Sequence, residues 1–180
     1  MECEFMNPIE LKFLRVKTEK HPTTGTTLEY LHHHHAVAVL ILNSNEDKTL
    51  LVNQYRPGNR GNLYEVPAGL IDENENPEEA MFREVLEETG YSKDDLDLIY
   101  KYPKPLLISP GYTTENLNFF IIKLKSDSIE PKEQSLDEGE DLFTEWVGLD
   151  EIEKLQVDLK TVFLLNLYKG SRQENADLQR

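Results

Sequence analysis

Cysteine is nearly absent from this chain, whose 180 residues include one thiol, Cys3. One thiol cannot form an intramolecular disulfide, and a cysteine-based zinc site is excluded as well. The first ten residues, MECEFMNPIE, carry acids and a proline where a secretory signal needs a basic start and an apolar run. No stretch approaches the roughly 20 apolar residues of a membrane span. We therefore expect a cytoplasmic protein.

Positive charge is also scarce, since 19 basic residues face 34 acidic ones and the net charge is −15. The field of such a chain repels phosphate backbones and anionic headgroups, so nucleic-acid polymers and membrane surfaces are not expected partners. A small polyphosphate stays compatible with this charge if divalent cations lie between it and the protein. The length predicts one main domain at 36–170, preceded by N-terminal strands at 1–35 and followed by a disordered tail at 171–180.

Histidine is rare too, but four of the five histidines are consecutive, His32 to His35, directly before the apolar run AVAVLIL. Imidazole is a common metal ligand, so the run raises the question of a metal site or a tag remnant. Alternation along an extended chain sends neighbouring side chains to opposite faces, which keeps four consecutive imidazoles from converging on one ion. We interpret the run as structural, at the start of a strand and near a subunit contact.

Hydrophobic periodicity predicts an α/β or α+β fold with a mixed sheet and an N-terminal antiparallel strand pair. The expected strands are residues 11–17, 26–31, 36–43, 49–55, 62–69, 97–102, 116–124 and 144–149. Helices are expected at 76–90, at 150–155 and at 159–170. The polar segment 125–141 is long for a loop inside a compact domain, which indicates a functional role.

The helix NPEEAMFREVLEETG carries the clearest local signals. Asn76 is a candidate N-cap, a proline and acids follow it, and Gly90 supplies the stop. The carboxylates of Glu84, Glu87 and Glu88 crowd one part of this helix, and like charges at this spacing repel by roughly 0.2–0.5 kcal/mol per pair. Oxygen ligands without histidine or cysteine suit Mg²⁺ or Mn²⁺. The alternative is a solvated acidic face, which is what most charge runs are.

The spacing of these residues resembles the Nudix box over GLIDENENPEEAMFREVLEETGY. All of the fixed positions of the box are present, namely Gly69, Glu75, Arg83, Glu84, Val85, Glu87, Glu88 and Gly90. Tyr91 stands where an aliphatic residue is usual, and such a long set of spaced polar positions is specific. The flanking stretches HAVAVLIL, LLVNQYR, YEVPAG, SPGYTTE and DEGED resemble the ADP-ribose pyrophosphatase branch of the Nudix hydrolases.

This resemblance implies an α/β/α sandwich and a Mg²⁺ site, with Mn²⁺ as an alternative ion. The implied metal ligands are the backbone carbonyl of Ala68 and the side chains of Glu84, Glu87 and Glu88. By the same resemblance, Arg83 orients the glutamates and Glu87 shares in catalysis. Glu75 is either a support of the loop and helix or an ordinary exposed acid.

The resemblance also implies a general base on a mobile loop before the last strand. The pattern SLDEGEDLF favours Glu140, with Glu138 as the alternative base, and a disordered acidic loop as the structural alternative. The implied substrate-binding residues are Arg56, Glu65, Pro110 and Gly111. Tyr30 and Tyr112 are aromatic candidates for stacking a nucleobase.

The expected activity is hydrolysis of ADP-ribose or another nucleoside diphosphate sugar to AMP and a sugar phosphate. Hydrolysis of a GDP-sugar, NADH or an oxidised deoxynucleoside triphosphate is the alternative within the family. A non-catalytic ADP-ribose sensor is the alternative from another class, although sensors of this kind usually have a degraded box. We expect a homodimer that exchanges strands from residues 11–31.

Overall fold

The computed structural model describes residues 14–137 and 139–178. Near its start, strand β1 (Arg15–Lys20) pairs with strand β2 (Thr27–His32) in an antiparallel two-stranded sheet. The predicted N-terminal strand pair is thus confirmed, while residues 11–13 of the first predicted strand lie outside the described residues. Nearly all residues of this hairpin are exposed, so it contributes little to the core.

The described residues form one larger sheet of eight strands. These are β3 (Ala36–Leu42), β4 (Lys48–Arg56), β5 (Gly61–Glu65), β6 (Ala68–Leu70), β7 (Leu96–Lys101), β8 (Leu106–Leu107), β9 (Asn116–Leu124) and β10 (Leu142–Gly148). The main path is β10-β4-β3-β9-β7, with β5 beside β4, β6 beside β3 and β8 beside β9. Strands β3 and β9 are parallel and the other pairs are antiparallel, which confirms the predicted mixed sheet.

Two helices cover opposite faces of this sheet, α1 (Pro77–Thr89) and α2 (Leu159–Leu178). Every side chain of β3 is buried, because alternate residues enter two different cores. Ala38 and Leu40 pack in the core that contains α2, and Val37 and Val39 pack in the core that contains α1. The resulting α/β/α sandwich is the architecture that the resemblance implied. No helix in the described part of the chain is long and apolar enough to cross a membrane.

The strand predicted at residues 62–69 is two strands that pair with different neighbours. Strand β5 lies on β4, whereas β6 lies on β3. The break falls at Val66 and Pro67: the N–H of Val66 donates to the Thr161 hydroxyl of α2, and proline has no N–H to donate to a ladder. A buried side-chain acceptor from a distant helix cannot be deduced from local sequence.

Three other predicted boundaries are wrong. The short strand β8 is absent from the predicted strands, because the prolines around its two residues are typical of turns. The helix predicted at 150–155 is a single 3₁₀ turn, Ile152–Lys154. Helix α2 does not end at Gly170 but continues to Leu178, since a glycine inside a helix costs only about 1 kcal/mol relative to alanine. The assignment of domain limits at 35 and 170 stays a prediction.

Candidate active site

A cavity of about 860 Å³ lies beside β6 and reaches both helices. Its wall includes Ala68 and Gly69 from β6, Arg83 from α1 and Lys160 from α2. The carboxylates of Glu84, Glu87, Glu88 and Glu140 also border it. Residues that are far apart in the sequence therefore meet in one acidic cavity.

Helix α1 begins and ends where its local signals predict. The Asn76 side chain accepts hydrogen bonds from the N–H groups of Glu78 and Glu79 at 3.0 Å each, and Gly90 adopts a left-handed conformation at φ 77°. The carboxylates of α1, however, do not all lie on the solvent side, as they would on a simple amphipathic helix. Glu88 is only 3% exposed, whereas Leu86 is 38% exposed. The acidic stripe of α1 faces the protein, which argues against the solvated acidic face.

Arg83 connects the acids of the site. It donates two hydrogen bonds to Glu75, one to Glu84 at 2.8 Å and one to Glu87 at 2.9 Å, and a fifth to the Leu70 carbonyl oxygen. Bonds of this kind, first of all those to Glu75, raise the pKa of the guanidinium. A guanidinium has five N–H groups, and these five contacts occupy them. Arg83 is therefore placed to orient carboxylates, with Glu75 as its main partner.

Burial disfavours the ionised form of the Glu84 and Glu88 carboxyl groups. Burial raises the pKa of Glu88 to about 8, and the neighbouring Glu84 adds to the rise. Burial likewise raises the pKa of Glu84 to about 7 against the opposing effect of Arg83. One oxygen of Glu88 accepts from the N–H of Ala68 at 3.1 Å. Two buried carboxylates with this little compensation favour binding of a cation.

The donor set matches a hard divalent cation, because it consists of carboxylate oxygens beside a strand end and contains neither imidazole nor thiolate. Among residues 14–137 and 139–178, no three acidic, histidine or cysteine side chains converge closely enough to form a ready metal cluster. Glu84 and Glu87 share Arg83 as a partner, whereas Glu88 accepts from the Ala68 N–H. The assignment of these residues as metal ligands stays a prediction. Their oxygen donors fit a hard divalent cation chemically.

The position of the Glu84 carboxyl group leaves no space for a side chain at residue 69, where the chain has glycine. A methyl group on Gly69 would overlap the carboxyl carbon and both carboxyl oxygens of Glu84. The first residue of the box thus provides space for one of its glutamates. Sequence spacing identified both residues, but it did not indicate that they touch.

The polar segment that follows β9 is attached to the end of α1. The N–H groups of Lys132 and Ser135 donate to the carbonyl oxygens of Gly90 and Glu87 at 3.0 and 2.9 Å, and the Gln134 side-chain amide donates to the Glu88 carbonyl. These bonds satisfy carbonyls that a helix end leaves without partners. Only glycine fits at position 90, since a side chain there would overlap the Lys132 carbonyl oxygen. Sequence reasoning missed this attachment, whose only signal was the length of the segment.

Glu140 lies on this segment and lines the cavity together with Asp137. Its carboxylate accepts a hydrogen bond from the Asp137 N–H at 3.1 Å. The negative charge of Glu140 contributes to the raised pKa values of Glu84 and Glu88, so the three carboxylates are electrostatic neighbours. The alternative base, Glu138, lies outside the described residues.

Arg56 lines the cavity, whereas Glu65 does not, and the assignment of Glu65 to substrate binding stays a prediction. Glu65 is 2% exposed and accepts two hydrogen bonds from Arg56, at 2.6 and 2.8 Å. It also pairs with Lys160, which in turn pairs with Asp158. Burial opposes ionisation of Glu65, yet the bonds from Arg56 and Lys160 outweigh it and lower its pKa. Lys160, missed from sequence, is held beside the cavity by this network.

We expect Glu65→Ala to lower the free energy of unfolding by about 3 kcal/mol, because it leaves two cationic groups without their buried partner. Urea denaturation followed by circular dichroism measures the change. Glu19→Ala, on the exposed strand β1, is the matched control and should cost less than about 0.5 kcal/mol. Equal stability of the two variants would contradict the structural role of Glu65.

Pro110 and Gly111 are exposed and do not line the cavity; they lie in a turn before residues 112–114, whose backbone pairs with Leu31 of β2. Their neighbours Ile108 and Glu115 line it instead. The predicted aromatic candidates Tyr30 and Tyr112 are also not cavity residues, and Tyr112 is 56% exposed. The aromatic rings in the wall are those of Phe119 and Phe163, whose centroids lie 4.6 Å apart.

The four consecutive histidines have different environments. His32 ends β2, and His33 to His35 connect it to β3. His33 lines the cavity, whereas His32, His34 and His35 are exposed and lie outside its wall. The run is thus placed at a strand start, as the sequence predicted, and one of its imidazoles faces the site.

Comparison with known protein families agrees with this arrangement of the cavity residues. The NUDIX domain matches residues 32–165, most of the chain, and this match includes the cavity residues from His33 to Phe163. The chain therefore belongs to the Nudix family.

Three relatives illustrate the range of the family around this chain. It is 31% identical over 128 residues to a methanol dehydrogenase activator of Bacillus methanolicus and 35% identical over 127 residues to an ADP-ribose pyrophosphatase of Bacillus subtilis. It is 33% identical over 138 residues to a GDP-mannose pyrophosphatase of Yersinia enterocolitica. Each alignment covers 71% of this chain, and the chain spans 64%, 65% and 69% of these relatives, about two thirds of their length.

Proposed function

We propose that this protein hydrolyses the diphosphate bond of ADP-ribose or a related nucleoside diphosphate sugar in the presence of Mg²⁺. Water supplies the oxygen that bonds to phosphorus, the bridging P–O bond breaks, and AMP and a sugar phosphate leave. The observation that carries the proposal is the set of α1 carboxylates beside the cavity, namely the buried Glu88 and the partly buried Glu84 and Glu87, which Arg83 orders.

Glu84, Glu87, Glu88 and the Ala68 carbonyl would hold the divalent ion, Mg²⁺ or alternatively Mn²⁺. When bound, such an ion neutralises charge on the diphosphate and lowers the pKa of coordinated water. Arg83 keeps Glu84 and Glu87 in position through its ionic hydrogen bonds. Glu140 accepts the proton of the attacking water, and Arg56, fixed by Glu65, binds phosphate oxygens at the cavity wall.

The proposed substrate is a diphosphate sugar because two relatives carry names of that kind, ADP-ribose pyrophosphatase and GDP-mannose pyrophosphatase. The test is incubation of the purified protein and Mg²⁺ with ADP-ribose, ADP-glucose, GDP-mannose, NADH and 8-oxo-dGTP, with chromatography of the products. We expect AMP from the ADP-sugars. Turnover of GDP-mannose alone would retain the diphosphate-sugar class with another nucleotide, and turnover of NADH or 8-oxo-dGTP alone would favour another substrate class. Binding of ADP-ribose without turnover of any compound would favour a sensor.

Gly69→Ala is expected to lower turnover about tenfold or more, in the range seen when groups that orient metal ligands are removed. The physical reason is that the new methyl group displaces the Glu84 carboxylate. The measurement is kcat as a function of Mg²⁺ concentration, which should show weaker metal activation. Gly58→Ala is the control, since a methyl group there meets nothing within 4 Å. Unchanged metal activation in Gly69→Ala would refute the role of Glu84.

A homodimer is proposed from the exposed hairpin of β1 and β2. Its apolar side chains include Val16 at 58% exposure and Leu28 at 39%, which a subunit contact would bury. Sedimentation equilibrium gives the solution mass, and a mass of one chain would exclude this contact. A cytoplasmic location, without nucleic-acid or membrane partners, stays a prediction from the charge and cysteine content.

A further inference from the structure

His33 is held at the cavity by its backbone. Its N–H donates to the Thr114 hydroxyl oxygen at 3.0 Å, and that hydroxyl donates to the His33 carbonyl at 3.1 Å. Next to it, Leu31 exchanges backbone hydrogen bonds with the 112–114 segment. The imidazole therefore belongs to a connection fixed between β2 and the segment before β9, and its place at the cavity does not depend on a loose loop.

The hydrogen bond of the ring determines which nitrogen is left for a ligand. Nδ1 of His33 lies 3.1 Å from the carbonyl oxygen of His34. A carbonyl only accepts, so Nδ1 carries the proton and donates. In neutral imidazole Nε2 is then an acceptor, and it has no hydrogen-bond partner among the described residues. His33 thus offers an acceptor atom at the cavity.

Glu115 lines the cavity beside His33, with its carboxylate 3.9 Å from Nδ1. A carboxylate is a second acceptor, and its charge repels phosphate oxygens. The three arginine and lysine side chains of the cavity wall do not neutralise it, because Arg56, Arg83 and Lys160 pair with other carboxylates. This end of the cavity therefore suits hydroxyl donors and disfavours a further phosphate group.

The surroundings of the pair are apolar. Leu106, Ile108 and Leu117 line the cavity at the β8–β9 edge, and Leu117 pairs with Ala36 at the start of β3. Ala38, the β3 partner of Ala68, lies five positions after His33, which is about 16 Å of extended chain at most. A diphosphate at the glutamates can thus carry an attached sugar ring toward this end, where aliphatic groups meet its carbons.

We propose that His33 and Glu115 bind vicinal hydroxyl groups of a sugar and so make the site selective for nucleoside diphosphate sugars over nucleoside triphosphates. This inference rests on the proposed function and specifies its substrate class. The hydroxyls that give this selectivity are those of the sugar beyond the diphosphate, because the ribose of the nucleoside is present in both classes of compound.

The experiment compares three compounds with the full-length protein and Mg²⁺. These are ADP-ribose, its analogue with 2′-deoxyadenosine, and the methyl ester of ADP, which has no second sugar. For His33→Ala we expect a rise in KM for ADP-ribose of about fivefold, the loss of one hydrogen bond, with kcat within about twofold. The variant His33→Gln retains an acceptor and should restore most of the affinity. His34→Ala changes the adjacent, exposed imidazole and is the matched control.

The pattern of KM identifies the sugar. If KM for the methyl ester is unaffected by His33→Ala, the pair binds the second sugar, as proposed. If instead KM for the deoxy analogue is unaffected, the pair binds the nucleoside ribose, and the proposed selectivity over nucleoside triphosphates is overturned. Glu115→Gln should reduce the preference for ADP-ribose over ATP. Equal effects of His33→Ala on all three compounds, or equal effects of His33→Ala and His34→Ala on ADP-ribose, would overturn the proposal.

The experiment distinguishes failure of the proposed function from failure of the hydroxyl site. If the wild-type protein binds ADP-ribose in calorimetry but cleaves none of the compounds, the hydrolase proposal fails, and the same comparison of variants is made on dissociation constants. A fivefold weakening confined to His33→Ala then supports the hydroxyl site, and no weakening overturns it. Absence of ADP-ribose binding by the wild-type protein overturns both proposals. Thermal melting by circular dichroism confirms that each variant is folded.

Discussion

Glu88→Gln is expected to reduce Mg²⁺-dependent turnover more than a hundredfold, because removal of groups that merely support metal ligands already costs 10–100-fold. Glu88 is almost fully buried next to Glu84, and burial raises the pKa of Glu88 further than that of Glu84. Glutamine keeps the shape and an oxygen acceptor for the Ala68 N–H, but it cannot supply the charge that a cation requires. The measurements are kcat and the Mg²⁺ concentration at half-maximal activity.

The folded state should tolerate this change. Removal of a buried charge that lacks a full partner does not destabilise the metal-free protein, so its melting temperature should be at least that of the wild type. Glu79→Gln, at an exposed position of the same helix, is the control and should retain full activity. Activity of Glu88→Gln within a few-fold of the wild type would reject the metal site on α1.

Glu140→Gln is expected to lower kcat by about 10²–10⁴-fold, the contribution of a positioned general base. The amide oxygen of glutamine can still accept the hydrogen bond from the Asp137 N–H, so the local backbone is retained while proton acceptance is lost. Because Glu140 reaches the cavity from the polar segment and not from α1, the Mg²⁺ concentration at half-maximal activity should change little. Stopped assays at saturating ADP-ribose measure the effect.

The control lies on the same segment. Glu133 is exposed and does not line the cavity, and Glu133→Gln should leave kcat unchanged. If Glu140→Gln were as active as the wild type, the base would be another acid, with Asp137 at the cavity wall and Glu138 as the candidates. A large change in metal activation would instead make Glu140 a metal ligand.

Helix α1 shows which features are predictable from sequence. Its start at Asn76, its proline and its end at Gly90 depend on hydrogen bonds within a few residues, so their signals are contained in the local sequence. The spacing of Arg83, Glu84 and Glu87 is likewise local, and a helix necessarily brings these side chains together. The proposed divalent-metal chemistry rests on the same residues, because hard oxygen donors select hard cations.

The direction of α1 and the contacts of Glu65 depend on packing. Leu86 is exposed while Glu88 is buried, since the cavity, and not only the apolar core, lies against this helix. Lys160 reaches Glu65 across 95 residues of sequence, and no periodic pattern marks a partner at that separation. For the same reason the sequence does not indicate that Glu115 lines the cavity while Pro110 and Gly111 of the same connection lie outside its wall.

By itself, the sequence determined the family, the mixed α/β class and the carboxylates of the box, because each of these depends on residue types at short, regular spacing. Tertiary structure alone decided that Glu84 packs on Gly69, that the polar segment is attached to the end of α1, and that one of four identical histidines faces the cavity. These contacts join segments that are distant along the chain. Burial and hydrogen bonding determine the partners only after the sheet has brought those segments together.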